Sequence, residues 1–269
     1  MSELQKIAGV AGSFLRQPGS SLRLLSQIPY VLRGMAYAAG YRESGSAPAP
    51  DVASERNRLR EFFEARKTGP GIWKWTHYFD IYHRHLAKFV GREAHVMEIG
   101  VYSGGSLEMW RDYFGKDCRV YGVDLQAACK AYENEHTKIF IGDQADRDFW
   151  RSLNLPALDV LIDDGGHRPE QQIATLEEML PRLRPGGVYL CEDIHGPNHG
   201  FGAYLQGLLR DLNAMHSVGP GKPVRPSPLQ SAIQSIHFYP YVVVIEKSRA
   251  PLAELSAPRH GTEWQPFKL

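Results

Sequence analysis

The stretches DVLIDDGGH, residues 159–167, and VYLCEDIH, residues 188–195, decide the fold of this 269-residue chain. Each is a short apolar run that ends abruptly in acidic residues, as a buried strand with a polar tip does. The segment between them, residues 167–187, has Pro169 for the first helical turn and Pro-Gly-Gly as a stop. Its apolar residues recur at helical spacing: Ile173, Leu176, Leu180 and Leu183. The predicted order is therefore strand, helix, strand.

Acidic residues follow both of these strands. A right-handed crossover places the strands side by side in a parallel sheet, so Asp163, Asp164, Glu192 and Asp193 gather at one carboxyl edge with His167 beside them. Such carboxylates are costly to bury unless a cation or hydrogen-bond donors meet them. The cluster predicts a metal site with an adjacent base. Consecutive side chains rarely point to one site, so we expect Asp163 to support the turn instead of binding metal.

The same alternation fills the preceding part of the chain. Apolar runs at residues 95–100, 119–125 and 138–143 are each followed by a helical pattern. Five strand–helix units predict an α/β fold with a doubly wound parallel sheet. The intervening helices are expected at 106–114, 126–135 and 145–153, a fifth flanking helix at Gly202–Met215, and a closing hairpin at 235–240 and 241–247.

Composition divides the chain into an arm, residues 1–50, a helical cap, 51–92, a core, 93–249, and a surface tail, 250–269. The arm is basic and interleaved with leucines. One interpretation is an amphipathic helix that contacts a membrane surface or a partner. The other, which is favoured, is an arm that packs on the core or on a second subunit. The Pro- and Gly-rich loop at 217–228 is predicted to be a mobile lid.

The cap precedes the first core strand, which places it over the predicted site. Its aromatic residues face either a ligand or the core, and the sequence does not decide between the two. These residues are Trp73, Trp75, Tyr78, Phe79 and Tyr82.

Bulk properties exclude several classes of protein. A formal net charge of +1 gives no basic excess for tracking nucleic-acid phosphates. Cys118, Cys129 and Cys191 lack zinc-site spacing and are expected to be reduced core thiols. No apolar run reaches the ~18 residues that span a bilayer, and no signal-peptide core is evident. We therefore expect a cytoplasmic protein whose partner is a small molecule or glycan.

The first core strand leads into MEIGVYSGGS, residues 97–106, a glycine-rich turn that a ligand can approach closely. Each of the first three strands ends in an acid: Glu98, Asp124 and Asp143. Asp124 is predicted to accept hydrogen bonds from ribose hydroxyls, and Asp143 lies where an adenine ring is expected. The form E-I-G-x-x-x-G-G differs from the dinucleotide fingerprint and resembles the first motif of class I S-adenosylmethionine methyltransferases. The predicted cofactor contacts are Glu98, Gly100, Ser103, Gly104, Asp124 and Asp143.

Residues 70–247 resemble a specific branch of that superfamily, the metal-dependent sugar O-methyltransferases of the mycinamicin type and their cephalosporin-hydroxylase-like relatives. The resemblance is sharpest at D-G-G-H, residues 164–167, and E-D, residues 192–193. The segment KWTHYFDIYHRHL is also similar to the one that precedes the cofactor strand in these enzymes. The resemblance implies a Rossmann-like sheet of seven strands with the last antiparallel, Mg²⁺ bound by Asp164, Glu192 and Asp193, and His167 as the general base.

Elementary chemistry favours the same function. Methyl transfer to an alcohol needs a Lewis acid to polarise the oxygen and a base to take its proton. Carboxylate ligands suit Mg²⁺, with Mn²⁺ or Ca²⁺ as alternatives, and two vicinal hydroxyls of a sugar could chelate the metal. We therefore expect methyl transfer from S-adenosylmethionine to a glycoside hydroxyl.

Several alternatives stay open. His195 is a rival base, and His199 is a further candidate for substrate contact. A catechol-type O-methyltransferase commonly uses a lysine base, whereas the acids here are partnered by histidine. A non-catalytic S-adenosylmethionine-binding protein is a second alternative. A hydroxylase is a third, although it would be expected to show a His-rich iron site.

Overall fold

The computed structural model describes residues 18–42, 56–196, 199–215, 224–258 and 260–261. The chain forms two compact units, Met1–Glu55 and Arg56–Leu269. The described part of the first unit contains helix α1, Pro18–Gly40, which has no acidic residue. No helix in the described ranges is long and apolar enough to cross a membrane. The division into arm, cap, core and tail stays a prediction.

The second unit is built on a seven-stranded sheet in the order β3-β2-β1-β4-β5-β7-β6. The strands are β1 His95–Ile99, β2 Arg119–Asp124, β3 Thr137–Ile141, β4 Leu158–Asp163, β5 Leu183–Cys191, β6 Ile233–Tyr239 and β7 Val242–Lys247. The first five are parallel, and β7 is antiparallel to β5 and β6. The strand order reverses between β1 and β4, where open α/β sheets bind ligands. The predicted doubly wound sheet and closing hairpin are confirmed.

Helices cover both faces of the sheet. They are α2 Arg58–Ala65, α3 Tyr78–Leu86, α4 Gly105–Phe114, α5 Arg147–Ser152, α6 Pro169–Met179, α7 Gly200–Leu212 and α8 Pro228–Ala232. One buried apolar cluster joins α2, α3 and α4 to one face, and a second joins α5, α6 and α7 to the other. Cys118, Cys129 and Cys191 are buried in these clusters and unpaired, as predicted.

The segment 126–135 differs from its prediction. It forms a 3-10 helix of six residues, Ala127–Tyr132, instead of a full α-helix. The helix stops because the next residue, Glu133, accepts the backbone N–H of Ile139 at 2.8 Å and fixes the chain to β3. The predicted helix at Gly202–Met215 is present with shifted ends, as α7.

The end of α6 also differs from its prediction. The α-helix stops at Met179, and Pro181, which has no N–H to extend it, lies in the short 3-10 helix that follows. Leu183 begins β5 instead of continuing the helical row, and the Pro-Gly-Gly expected as a stop lies inside that strand. Apolar spacing of three fits a helix, so the pattern alone did not distinguish the last turn from the strand.

The predicted lid at 217–228 is described only in part. Val224 forms an isolated antiparallel bridge with Leu255 of the tail, and Ser227 caps α8 by accepting the Gln230 N–H at 3.1 Å. Residues 216–223 lie outside the described residues, so the mobile lid stays a prediction.

Candidate active site

A cavity of about 810 Å³ opens at the carboxyl edge of the sheet. Seven of the ten residues predicted for cofactor, metal and catalysis line it: Gly100, Ser103, Asp124, Asp164, His167, Glu192 and Asp193. The sheet order explains this convergence, because β1 lies between β2 and β4, and β5 follows β4. One cavity therefore contains the predicted donor contacts and the predicted metal ligands together.

Two residues of the glycine-rich motif lie behind the cavity wall. Glu98 is fully buried and accepts the Ser106 hydroxyl at 2.5 Å. Gly104 precedes α4 with a φ of 74°, and a Cβ there would lie 2.7 Å from the Tyr132 ring. This glycine therefore makes room for a neighbouring side chain and does not face the cavity.

The acids after β2 and β3 have different surroundings. Asp124 lines the cavity and accepts the backbone N–H groups of Tyr102 at 3.0 Å and Gln126 at 2.8 Å. Asp143 accepts the N–H of Ala145 at 2.8 Å and closes a turn, while the residues on either side of it face the cavity. The structure thus brings Asp124, but not Asp143, to the predicted donor site.

The predicted metal ligands follow β4 and β5 at the same level of the sheet, since Asp163 pairs with Cys191 in the register. One ligand atom each from Asp164, His167 and Asp193 lie within 4.8 Å of one another. His167 Nε2 is 3.9 Å from Asp164 Oδ1 and 3.7 Å from Asp193 Oδ2. The histidine proposed as base thus lies beside two of the three acids.

Asp163 turns away from this group. Its carboxylate accepts the Gln144 amide at 3.0 Å, the Tyr189 hydroxyl at 3.2 Å and the Gly165 N–H at 3.4 Å. Burial raises the pKa of Asp163 to about 6, although these hydrogen bonds oppose the shift. Its hydrogen bonds hold the turn that carries Asp164.

The cap supplies hydrogen bonds to the other two acids. The Tyr82 hydroxyl donates to Glu192 Oε1 at 2.7 Å, and the Tyr78 hydroxyl donates to Asp193 Oδ1 at 2.7 Å. Trp75 Nε1 donates to the same Asp193 oxygen at 3.1 Å. Three of the five aromatic residues of the cap therefore bind the acidic cluster directly.

The remaining two aromatic residues divide between ligand and core. Trp73 lines the cavity and is 88% exposed. Phe79 is fully buried, with its ring 4.9 Å from that of Phe63. The choice between ligand and core, which the sequence left open, thus has a different answer for each of these residues.

Lys74 is a site residue that the sequence reasoning missed. Its ammonium is buried and lies 2.5 Å from Asp164 Oδ2, 3.1 Å from Glu192 Oε1 and 3.2 Å from Glu98 Oε1. Burial alone would lower the pKa of Lys74, but the charges of Asp164, Glu192 and Glu98 outweigh it and raise the pKa well above its ordinary value. The one available signal was a single lysine at the start of the aromatic segment KWTHYF.

The rival histidines lie near the base candidate. His195 Nε2 is 3.5 Å from Asp193 Oδ1, and its ring lies 4.8 Å from that of Tyr241. His199 Nε2 lies 3.1 Å from the carbonyl oxygen of His167 and does not line the cavity. His195 faces the cavity but contacts one acid only, whereas His167 faces two.

Three non-glycine residues on the cavity wall have left-handed backbones. The φ angles are 54° at His167, 54° at Asp193 and 48° at Tyr102. Such conformations cost about 1–3 kcal/mol each and persist where the surroundings fix them. The acids and the histidine are therefore held in place by the packing around them.

The donor set fits a hard divalent cation. Burial and the charge of Asp164 raise the pKa of Glu192 well above its ordinary value, and Lys74 opposes this. A cation at this edge would relieve that repulsion, and carboxylate oxygens are the ligands that Mg²⁺ prefers. His167 Nδ1 is buried and has no hydrogen-bond partner among the described residues, so this imidazole has an unused polar atom within the site.

Comparison with known proteins agrees with this geometry. The family described as a methyltransferase domain matches residues 97–194. The chain is 32% identical over 204 residues to the 8-demethyl-8-alpha-L-rhamnosyl tetracenomycin-C 2'-O-methyltransferase of Streptomyces olivaceus, covering 68% of this chain and 53% of that enzyme. It is 31% identical over 191 residues to the mycinamicin VI 2''-O-methyltransferase of Micromonospora griseorubida, covering 62% of this chain and 47% of that enzyme.

A solved structure shows the same fold. The MycE methyltransferase from the mycinamycin biosynthetic pathway, in complex with Mg, SAH and mycinamycin VI, matches with a TM-score of 0.60 at 25% identity. The match covers 73% of this chain and 55% of that one. The chain spans about half the length of the curated relatives. These findings confirm the predicted resemblance: residues 97–194 match a methyltransferase domain, and the chain is similar to sugar O-methyltransferases.

Proposed function

We propose that this protein transfers the methyl group of S-adenosylmethionine to a hydroxyl of a glycoside in an Mg²⁺-dependent reaction. The observation that carries the proposal is the convergence of Asp164, His167 and Asp193 within one cavity that also contains the glycine-rich turn. A donor site beside a cation site with a base is the arrangement that O-methylation needs.

The donor would bind at the ends of β1 and β2. Gly100 has a φ of 88°, and a Cβ there would lie 2.0 Å from the Asp164 carbonyl oxygen, so only glycine fits. This close approach places the turn beside the acids. Asp124 would accept hydrogen bonds from the ribose hydroxyls, and Ser103 would contact the donor from the same turn. S-adenosylmethionine supplies an electrophilic methyl group on sulfur.

Asp164, Glu192 and Asp193 would hold the metal. When bound, Mg²⁺ would polarise the acceptor oxygen and lower the pKa of its hydroxyl. The chain provides the ligands in a pre-arranged form, with Tyr82 fixing Glu192 and Tyr78 fixing Asp193. Their hydroxyls use one oxygen of each carboxylate and so orient the other.

His167 would take the proton of the acceptor hydroxyl. The oxygen then forms a bond to the methyl carbon as the carbon–sulfur bond breaks, and S-adenosylhomocysteine leaves. An imidazole beside two carboxylates is well placed for this step, since the positive charge that it gains would be stabilised by Asp164 and Asp193. His195 contacts only Asp193 and is therefore the weaker candidate.

The lysine near the acids does not favour a catechol-type mechanism. Lys74 donates to three carboxylates and is buried with them, so its ammonium has no free lone pair to accept a proton. This contact pattern supports the histidine as base.

The test is methyl transfer from S-adenosylmethionine to a panel of glycosides, with and without EDTA. Turnover should need Mg²⁺ and should be lost in Asp164→Asn and Glu192→Gln. A matched control is Asp159→Asn, which removes an acid from the amino end of the same strand, where it accepts the His95 N–H and pairs with Arg184. Full turnover in excess EDTA would refute the metal, and no transfer to any glycoside would refute the acceptor class.

We also propose that residues 1–50 contact a second subunit. In α1, Leu24, Ile28, Val31 and Met35 are exposed and spaced alternately by four and three residues, which suits helix pairing. The Leu24→Glu/Ile28→Glu double variant should reduce the oligomer size in light scattering. A wild-type monomer at micromolar concentration would contradict this proposal.

The proposed partner is a small glycoside in a cytoplasmic setting, and nucleic acid is not proposed as a partner. The net charge of +1 supports leaving nucleic acid out, because it offers little attraction to phosphates. The three unpaired cysteines suit a reducing compartment.

A further inference from the structure

Lys74 is the cation nearest to the acidic cluster among the described residues. Its side chain is 2% exposed and precedes α3 in the loop that follows α2. Its ammonium lies within 3.2 Å of oxygens from three acids, Glu98, Asp164 and Glu192. Three carboxylates, one on β1, one after β4 and one after β5, thus share one buried positive charge.

The remaining acid of the cluster has uncharged hydrogen-bond donors. Asp193 accepts hydrogen bonds from the neutral donors Tyr78 and Trp75. Asp164 and Glu192, the other two proposed ligands, both depend on Lys74 for a positive partner. Burying carboxylates without a counter-charge is strongly unfavourable. The ammonium therefore offsets a repulsion that the site would otherwise have before any metal binds.

We infer that Lys74 is a built-in counter-cation that holds the acids together in the metal-free protein and competes with the divalent cation for Asp164 and Glu192. This inference rests on the proposed function, since it assumes that these acids bind metal. It assigns Lys74 as a positioning residue: it neither takes a proton nor touches the reacting atoms.

The contact with Glu98 gives this role a second consequence. Glu98 belongs to the glycine-rich motif of the donor site and is fully buried. Lys74 therefore connects an acid of the donor half to two acids of the metal half through one charge. A divalent cation that bound Asp164 and Glu192 would leave the ammonium with Glu98, so metal binding would be coupled electrostatically to the donor half.

The experiment measures metal binding and stability, not turnover. Lys74→Met keeps most of the side-chain volume and removes the charge. The matched control is Lys88→Met, which removes a half-buried lysine paired with Glu246 away from the cavity. We expect Lys74→Met to bind Mg²⁺ at least about tenfold more tightly than the wild type in calorimetry. In EDTA its melting temperature should be lower than that of Lys88→Met, and adding Mg²⁺ should raise its melting temperature more.

A Lys74→Met variant that binds Mg²⁺ no more tightly than the wild type would overturn the inference, and so would one with the same melting temperature in EDTA as Lys88→Met. If Lys74→Met folds only when Mg²⁺ is present, the inference is supported. If it folds in neither condition, Lys74→Met/Glu98→Gln decides: the double change removes one positive and one negative charge, and it should restore folding. Failure of the double variant as well would overturn the inference.

These outcomes are separable from failure of the proposed function. A wild-type protein that binds no Mg²⁺ in calorimetry contradicts the metal dependence of the proposed reaction. A wild-type protein that binds Mg²⁺ while Lys74→Met binds it equally contradicts only the role of Lys74.

Discussion

The Tyr82 hydroxyl lies 2.7 Å from Glu192 Oε1, and both side chains are excluded from solvent. A cap helix thus reaches across the sheet edge to bind an acid that follows β5. Without this hydroxyl, the Glu192 carboxylate would keep only the ammonium of Lys74 as a hydrogen-bond donor among the described side chains.

Tyr82→Phe should destabilise the protein by about 1.5–3 kcal/mol, because a hydrogen bond to a buried charged group is lost. The control is Tyr113→Phe, which removes a hydroxyl that contacts His83 at 2.9 Å outside the site. The free energy of unfolding in urea measures both. An equal decrease in the free energy of unfolding in the two variants would contradict a special role of the Tyr82 hydroxyl in stabilising Glu192.

His167→Ala should cut turnover by ~10²–10⁴, the usual effect of removing a positioned proton acceptor. Binding of S-adenosylhomocysteine should stay nearly unchanged, because His167 lies beside the acids and not beside Asp124. The matched variant is His195→Ala, which should lose far less. If His195→Ala alone produces the large loss, the base is the histidine after the Glu-Asp pair.

Asp124→Ala should weaken S-adenosylhomocysteine binding by about 1–3 kcal/mol, the cost of losing a polar partner in a cavity. Asp143→Ala is the control that the structure offers, since its carboxylate closes a turn and does not line the cavity. Calorimetry should show little change there. A larger loss in Asp143→Ala than in Asp124→Ala would reverse the assignment.

His85 should contribute a loss of stability at mildly acidic pH, opposed by Asp163, whose pKa of about 6 favours the folded protein as the pH falls. Burial lowers the pKa of His85 below its ordinary 6.5, although its hydrogen bond to Glu246 opposes this. The unfolded chain then binds a proton that the folded protein excludes, so the free energy of unfolding decreases as the pH falls below about 6.5. The neighbouring groups are Glu246, Lys88, His237 and Tyr239.

The contact between His85 and Glu246 also affects the carboxylate. Burial alone would raise the pKa of Glu246, but His85 and Lys88 outweigh burial and lower it. This adds stability that is lost as the pH falls further, so both shifts have the same sign. Urea midpoints between about pH 7.5 and about 5.5 measure the trend. His85→Gln should flatten it, and an unchanged trend in that variant would exclude His85 as the cause.

The carboxyl edge could be predicted from the sequence because its strands are short apolar runs that end in acids. Asp164 and Glu192 meet since parallel neighbours end at the same edge, and this follows from topology alone. Asp143 followed the same rule, but its side chain closes a local turn instead. A strand end fixes where a residue is, not where its side chain points.

Lys74 could not be predicted in this way. It lies outside any helix or strand, in the segment before α3, where no periodicity constrains it. Its position depends on the packing of α3 over the sheet, a contact between residues far apart in sequence. Leu183 shows the complementary case, in which one spacing fits both a helix and a strand.

The face of α3 that carries Tyr78, Tyr82 and His85 constrains how the length of this chain can change. The first two bind Asp193 and Glu192, and the third binds Glu246 of β7 and Tyr239 of β6. One inserted or deleted residue inside the helix would rotate everything after it by about 100°. An insertion between Tyr82 and His85 would therefore prevent the helix from binding the acids of the site and the strands β6 and β7 at the same time.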